Sequence, residues 1–222
     1  MLALVLVLSI TPSVFAEEPV GGTTIYVDAI NGNDTQEGVG TTSDKAYKTV
    51  AKAVAAAKSG DTIQLSEGNY TLYGVSSKGH TKGKNLTFVG RGTDKTGWNI
   101  GAEVPDPTNF GTEYNGDYSF DGAGTIAFKN MTLRSGKVDY LGFIRANNTI
   151  VENCVINGKT FYWGYQTATF RNTIFNCPNG DYAIWTYSSP VMTFDNCTFR
   201  LIPLAKSSMS TPMQVQESMT SQ

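Results

Sequence analysis

The chain has 222 residues, a net charge of −2, 40% apolar residues, only 16% charged ones and 23 glycines. That length suits one domain with a sizeable core, and a charged fraction well below the roughly 25% of an average soluble domain disfavours a solvated helical bundle or a disordered charged tail. The near-neutral balance also argues against a nucleic-acid partner, which demands a basic footprint to displace phosphate counterions.

In chain order, Met1 to Ile10 is an apolar run broken by Thr11-Pro12, and Val14-Phe15-Ala16 places small residues three and one positions before Glu17. Residues 1–16 therefore read as a secretory signal peptide, too short for a mature membrane anchor, and the chain is expected to be secreted or displayed at the cell surface. The segment carries no Lys or Arg. Thr49 to Lys58 is the one persuasive helix: Thr49 caps its start, Val50, Val54 and Ala57 fall on one face, and Gly60 ends it. Thr62-Ile63-Gln64-Leu65, followed by Glu67-Gly68-Asn69-Tyr70, reads as a first strand and its turn, and Leu86-Thr87-Phe88-Val89-Gly90 as another strand. From Phe88 to Phe128 there is room for two coils, or for one coil with an excursion over Gly97 to Gly116.

A repeat sets the fold. The frame apolar, any, apolar, any, Asn, any, any, apolar recurs at Ile126–Leu133, Thr149–Ile156 (with Thr149 replacing the first apolar position), Ala168–Phe175 and Met192–Phe199. The asparagines Asn130, Asn153, Asn172 and Asn196 lie 23, 19 and 24 residues apart. Alternation within each copy means β-strand, and the irregular step means coils whose strands repeat while their loops vary. Leucine-rich repeats share that length but need a leucine scaffold that this chain lacks. The expectation is an all-β parallel solenoid over residues 17–200, of about five coils. Phe128, Val151, Phe170 and Phe194 form one interior file, and Leu133, Ile156, Phe175 and Phe199 another. The four asparagines take a structural role at a left-handed turn, each amide bonding to the next. The helix covers the open end of the first coil. Residues 201–222 carry no periodicity and no closing cap, which suggests a truncated reading frame or a longer parent protein.

Ile25-Tyr26-Val27-Asp28, Asn31-Gly32-Asn33-Asp34 with Gly38, Tyr47-Lys48-Thr49-Val50 with Ala53, and Gly60-Asp61-Thr62-Ile63 with Glu67-Gly68-Asn69-Tyr70 together resemble the N-terminal cap and first coil of the right-handed parallel β-helix (pectin-lyase-like) superfamily. The motif spans about residues 25–71, and the Asn-bearing coils extend the likeness to about residue 199. The resemblance implies a right-handed parallel β-helix with a short N-terminal capping α-helix. It leaves function open, because the superfamily includes polysaccharide lyases, glycoside hydrolases, phage tailspikes and non-catalytic adhesins.

Residues with chemistry are few. The sole histidine, His80, follows Lys78-Gly79 in a Gly- and Lys-rich loop, and nothing marks Ser76 or Ser77 as a nucleophile. Asp117, Asp121, Asp139, Asp181 and Asp195 do not recur at equivalent coil positions, so no paired carboxylates of glycosidase type emerge. The superfamily's lyases use a Lys or Arg base with calcium; Arg145 and Lys159 are conceivable bases, but the later coils show no acidic cluster to hold the metal. Asp28, Asn31, Asn33 and Asp34 offer oxygen ligands to Ca²⁺ in one Gly-containing loop, or equally describe a turn held by its own side chains; no other cofactor is expected. Aromatic residues carry the strongest binding signal. Phe161-Tyr162-Trp163-Gly164-Tyr165 aligns with Trp185-Thr186-Tyr187-Ser188-Ser189, with Tyr140, Phe143 and Arg145 on the preceding coil. In the superfamily the corresponding face commonly forms the sugar groove, where rings stack on sugar C–H faces. Arg145, Tyr162, Tyr165, Tyr182 and Thr186 are the expected outward set.

The expected function is therefore an exported, non-catalytic β-helix segment of a bacterial adhesin-like surface protein, with a polysaccharide or cell-surface glycan as partner and no membrane span in the mature chain. The alternative is the N-terminal part of a pectate, alginate or chondroitin lyase, or of a glycoside hydrolase, whose catalytic coils lie further on. The cysteines test the coil register. Cys154 and Cys197 both follow a ladder asparagine two coils apart, roughly 9–10 Å at ~4.8 Å per coil, beyond the about 7 Å Cα separation that a disulfide spans. Cys177 sits at a different point of its coil. Thiol titration in denaturant without reductant is expected to count three free thiols per chain, and a count of one would mean a disulfide and a wrong register.

Overall fold

The computed structural model describes residues 22–35, 38–71, 81–99, 118–120, 122–134, 140–144, 146–157, 159–162, 165–178, 184–185 and 190–202. Its elements begin with β1 (Thr24–Val27), α1 (Val50–Ala56), β2 (Thr62–Leu65), β3 (Gly68–Thr71), β4 (Leu86–Val89), β5 (Thr96–Asn99) and β6 (Tyr118–Ser119). Then follow β7 (Thr125–Lys129), β8 (Thr132–Arg134), β9 (Tyr140–Ile144), β10 (Asn148–Glu152), β11 (Val155–Asn157) and β12 (Lys159–Tyr162). The last are β13 (Thr167–Arg171), β14 (Ile174–Pro178), β15 (Ile184–Trp185), β16 (Val191–Asp195) and β17 (Thr198–Ile202).

Every pairing among these strands is parallel and joins one coil to the next. They form a seven-stranded sheet β1-β2-β4-β7-β10-β13-β16, a six-stranded sheet β3-β5-β8-β11-β14-β17 and a four-stranded sheet β6-β9-β12-β15. This is a parallel β-helix with one short N-terminal helix. It has more turns than the repeat frame alone suggests, because β1 lies ahead of the helix and still pairs with β2, Ile25 opposite Ile63. The step from Phe88 to Phe128 is a single coil, since β4 pairs directly with β7. Gly97 to Asn99 belong to β5 rather than to an excursion, and residues 100–117 lie outside the described residues.

Both interior files form as the alternation predicts. One runs Ile25, Ile63, Phe88, Phe128, Val151, Phe170, Phe194. The other runs Tyr70, Trp98, Leu133, Ile156, Phe175, Phe199. Like rings stack along them: Phe170 on Phe194 with centroids 5.2 Å apart, and Phe175 on Phe199 at 4.6 Å. The last pair of residues departs from expectation, for Phe194 and Phe199 are exposed. They lie on the final described coil, and among the described residues none stacks beyond them.

Each coil turns from the first sheet into the second through its asparagine. Asn130, Asn153, Asn172 and Asn196 have φ of 57°, 53°, 48° and 50°, the left-handed region that Asn tolerates and most residues do not. Their amides join: Asn172 Nδ2 donates to Asn153 Oδ1 at 3.2 Å, and Asn196 Nδ2 to Asn172 Oδ1 at 2.7 Å. In the earlier coil Gly90 takes this place for a different reason, as an added Cβ would stand 2.4 Å from the Asn130 carbonyl oxygen. The residue after each asparagine points inward and closes the turn. Cys154 Sγ donates to the Phe128 carbonyl at 3.5 Å, Thr173 Oγ1 to Val151 at 3.4 Å and Cys197 Sγ to Phe170 at 3.5 Å. Thr173 thus stands between the two thiols. All three cysteines are free, and burial pushes the Cys154 thiol up to about 12.

The helix closes the N-terminal end by burying Val50, Ala53 and Val54 against the core. The Thr49 hydroxyl accepts from Lys52 N, and Lys84 Nζ donates to the Val54 carbonyl at 3.0 Å at the other end. Buried Asp61 ties helix to strand, its carboxylate accepting from Thr23 N at 2.8 Å and Lys58 N at 2.7 Å. Tyr70 is buried with its hydroxyl donating toward the Val27 and Ser66 carbonyls. Gly32 is required by close approach, since a Cβ there would meet the Tyr47 and Asp28 carbonyl oxygens.

Asn172→Ala is expected to lower the urea midpoint more than Asn172→Gly. Both lose the amide bonds, but only Ala also carries a β-carbon into the left-handed region, at about 1–2 kcal/mol. Equal losses would mean that the backbone conformation contributes nothing. Thr149 breaks the apolar frame and is fully buried between Ile126 and Ala168 in register, its hydroxyl without a partner. Thr149→Val is therefore expected to raise stability by about 1 kcal/mol in the same measurement.

Candidate functional site

The third sheet is where aromatic residues gather. Its register aligns Tyr118 with Phe143, Phe143 with Phe161 and Phe161 with Trp185, so four aromatic positions follow one another coil by coil. The pairing of Phe161 with Trp185 is the one that the sequence alignment gives. Tyr118 and Phe143 fall outside that alignment because they lie 12 and 10 residues before Asn130 and Asn153, whereas Phe161 and Trp185 each lie 11 before Asn172 and Asn196; β9 also has an irregular register opposite β12, where Lys159 faces Tyr140 yet Phe161 faces Phe143. Alternation sets this aromatic file one step out of phase with Ile144, which is buried, and with Ile184, which packs on the core.

Of the expected outward set, Tyr165 is described and is 37% exposed, its N–H donating to the Ala146 carbonyl at 3.2 Å. Tyr162 lies in β12 with its backbone in register with buried Ile144. Arg145, Tyr182 and Thr186 lie outside the described residues, as do His80, Ser76, Ser77, Asp117, Asp121, Asp139 and Asp181. Lys159 is described through its backbone position at the start of β12.

The four oxygen-bearing residues of the N-terminal loop divide into three separate turns. Asp28 Oδ1 accepts from the Ile30 and Asn31 amides, both at 2.9 Å, and Asn31 Nδ2 reaches Asp28 Oδ2 at 3.3 Å. Burial pushes the Asp28 carboxyl up, but the Asn31 and Ile30 amides outweigh it and hold the group below the usual range. Asn33 Oδ1 accepts from the Thr35 amide and hydroxyl, each at 2.8 Å. Asp34 serves the helix start, accepting from Lys48 N at 2.8 Å, Thr49 N at 3.1 Å and Thr49 Oγ1 at 2.8 Å. Only Asp28 and Asn31 come together, and with Ser66, Glu67, Arg91 and Lys95 they border an open cleft of about 540 Å³. Lys95 Nζ and Glu67 Oε1 pair there at 2.9 Å. Among the described residues no group of three or more His, Cys, Asp or Glu is placed to hold a metal ion.

A further pattern, not anticipated from the repeat, lies on the outer face of the first sheet. Register places Lys129, Glu152, Arg171 and Asp195 side by side on successive coils, so charge alternates along the solenoid. Lys129 Nζ and Glu152 Oε2 stand 3.3 Å apart. On the second sheet Asn176 Nδ2 donates to Asn157 Oδ1 at 2.7 Å, a second amide contact between coils. The signal was in the frame itself, in the residue immediately before each ladder asparagine.

Residues 30–77, the loop, helix and first coil, match the model of a family described as a protein of unknown function (DUF1565), a family typically built as a parallel β-helix. No curated protein matches the chain.

Proposed function

We propose that this chain is the capped N-terminal segment of an exported, non-catalytic surface protein of the pectin-lyase-like superfamily, and that its third sheet holds carbohydrate. The observation that carries the reading is the aromatic file Tyr118, Phe143, Phe161 and Trp185, in register on four successive coils; exposed Tyr165 follows β12 in the chain. One aromatic position every ~4.8 Å along the sheet suits an extended polymer of similar repeat. Aromatic rings bury the apolar faces of sugars while the hydroxyls keep their polar partners. The apolar run and small-residue site of residues 1–16, read as an export signal, support a surface role.

Structural use of the acidic residues supports the non-catalytic half of the reading. Asp28, Asp34 and Asp61 accept backbone N–H groups of the cap. Glu67 and Glu152 pair with lysines on neighbouring coils. A carboxylate committed to such bonds is poorly poised to transfer protons in catalysis.

Glycan-array binding by the full chain is the test, with Tyr165→Ala and Trp185→Ala compared at unchanged far-UV circular dichroism. Each substitution is expected to weaken the best glycan about tenfold; binding that ignores both would overturn the assignment. A rise in absorbance near 235 nm on pectate, alginate or chondroitin with Ca²⁺ would instead establish a lyase.

A further inference from the structure

The outer face of the first sheet carries more than its charge file. Across β7, β10, β13 and β16, outward positions alternate with the buried Ile126, Phe128, Val151, Ala168 and Phe170 and form three columns. One is Thr125, Asn148, Thr167 and Val191, the next Ala127, Ile150, Thr169 and Thr193, and the third Lys129, Glu152, Arg171 and Asp195. The middle column holds short or β-branched side chains, with Ala127 buried and Ile150 and Thr169 half-buried, so the face is low at its centre and charged along one margin. Val191 in the first column is 69% exposed.

Within the chain the charges are only partly matched. Lys129 and Glu152 pair at 3.3 Å with side chains still 26% and 28% exposed. Arg171 and Asp195 are in register, yet among the described residues neither is within ion-pair distance of an opposite charge. Cross-strand attraction therefore closes one half of the file. The other half keeps a cation and an anion open.

The order of the signs has a symmetry. It runs plus, minus, plus, minus from Lys129 to Asp195, and reversing the order gives the complementary set. Two such faces related by a two-fold axis that is parallel to the strands and passes between β10 and β13 meet with coil order reversed and columns matched. Lys129 then faces Asp195 of the second copy, and Glu152 faces Arg171, each contact occurring twice. Ile150 falls on Thr169, and exposed Val191 is covered by Thr125. A slip of one coil sets like charges together along the file. A two-fold along the solenoid axis sets each charge against its own copy or an uncharged column. Only the first arrangement matches every charge, so repulsion selects the register.

We infer that this face is an interface between two copies of the chain, a two-fold dimer joined by four opposite-charge contacts beside a flat apolar and hydroxyl centre. The chain's own termini do not carry the complementary pattern: residues 203–222 have only Lys206 and Glu217, and residues 1–21 only Glu17 and Glu18, too few to match an alternating file of four. Four coils at ~4.8 Å and strands of five residues give a face of ~19 Å by ~17 Å. That is at the small end for protein contacts, so the dimer is a weak one, favoured by high concentration and low salt.

Sedimentation velocity of the full chain from micromolar to millimolar concentration is the test. The average mass is expected to climb toward twice that of the monomer at low salt and to fall back in about 1 M NaCl, where the screening length is about 3 Å. Arg171→Glu places two like pairs across the interface and should weaken association about tenfold or more. Glu152→Arg combined with Arg171→Glu breaks the alternation within the chain but keeps every contact across the interface opposite, so this double variant should still dimerise. The fourfold inversion Lys129→Glu, Glu152→Lys, Arg171→Glu and Asp195→Lys keeps both, and should dimerise with itself while failing to mix with fluorescently labelled wild-type chain. A chain that stays monomeric, a dimer indifferent to salt or to Arg171→Glu, or free mixing of inverted and wild-type chains overturns the inference. Loss of the dimer in the double variant at unchanged circular dichroism would overturn it in favour of a role for the charges within one chain alone.

Discussion

The structure depends on one backbone constraint repeated in its last four described coils: a single residue held near φ 50° that turns the first sheet into the second. Asparagine meets it in four consecutive coils, and in doing so fixes the register of everything around it. Because the turn residue occurs at the same point of each coil, the strands before and after it must stack in step. The inward Phe and aliphatic side chains then fall into files, and the outer charges fall into another. Hydrogen bonding reinforces the same register from three sources: the β-ladders, the asparagine amides and, at three of the four turns, the thiol or hydroxyl of Cys154, Thr173 or Cys197. A slip of one residue would break all three and turn the apolar files outward.

The cap works by a different logic. It has no repeat to copy, so it relies on specific polar bonds from Asp28, Asp34, Asp61 and the Tyr70 hydroxyl. These groups bring β1, the loop, the helix start and the first coil together. Their commitment to backbone groups explains why acidic residues can be plentiful at this end without forming a cluster of ligands.

How far the fold was legible follows from where periodicity exists. The four frames from Ile126 to Phe199 predicted both interior files and the left-handed asparagines, because alternation and the turn residue reinforce one another. Strand β1 was hidden by its place before the helix, and the Phe88 to Phe128 step by an insertion that period counting cannot divide. The third sheet was only half legible. Phe161 and Trp185 aligned from the asparagines, each 11 residues ahead of its own, whereas Phe143 and Tyr118 lie 10 and 12 residues ahead of theirs because the segments between third and first sheet differ in length. The charge file was visible in principle, as Lys, Glu, Arg and Asp precede the four asparagines, but it acquires meaning only once the coils are known to be neighbours.

The interleaving of Cys154, Thr173 and Cys197 bears on how such a chain can change length. Repeat proteins grow and shrink by whole units, and most units here are interchangeable in their apolar content. Loss of the coil that carries Thr173 would bring the two thiol-bearing turns onto adjacent coils at ~4.8 Å, inside the span of a disulfide. In an oxidising compartment that shortened chain would acquire a cross-link its parent does not have. The threonine coil is thus a spacer that holds the two thiols two coils apart and keeps them unpaired.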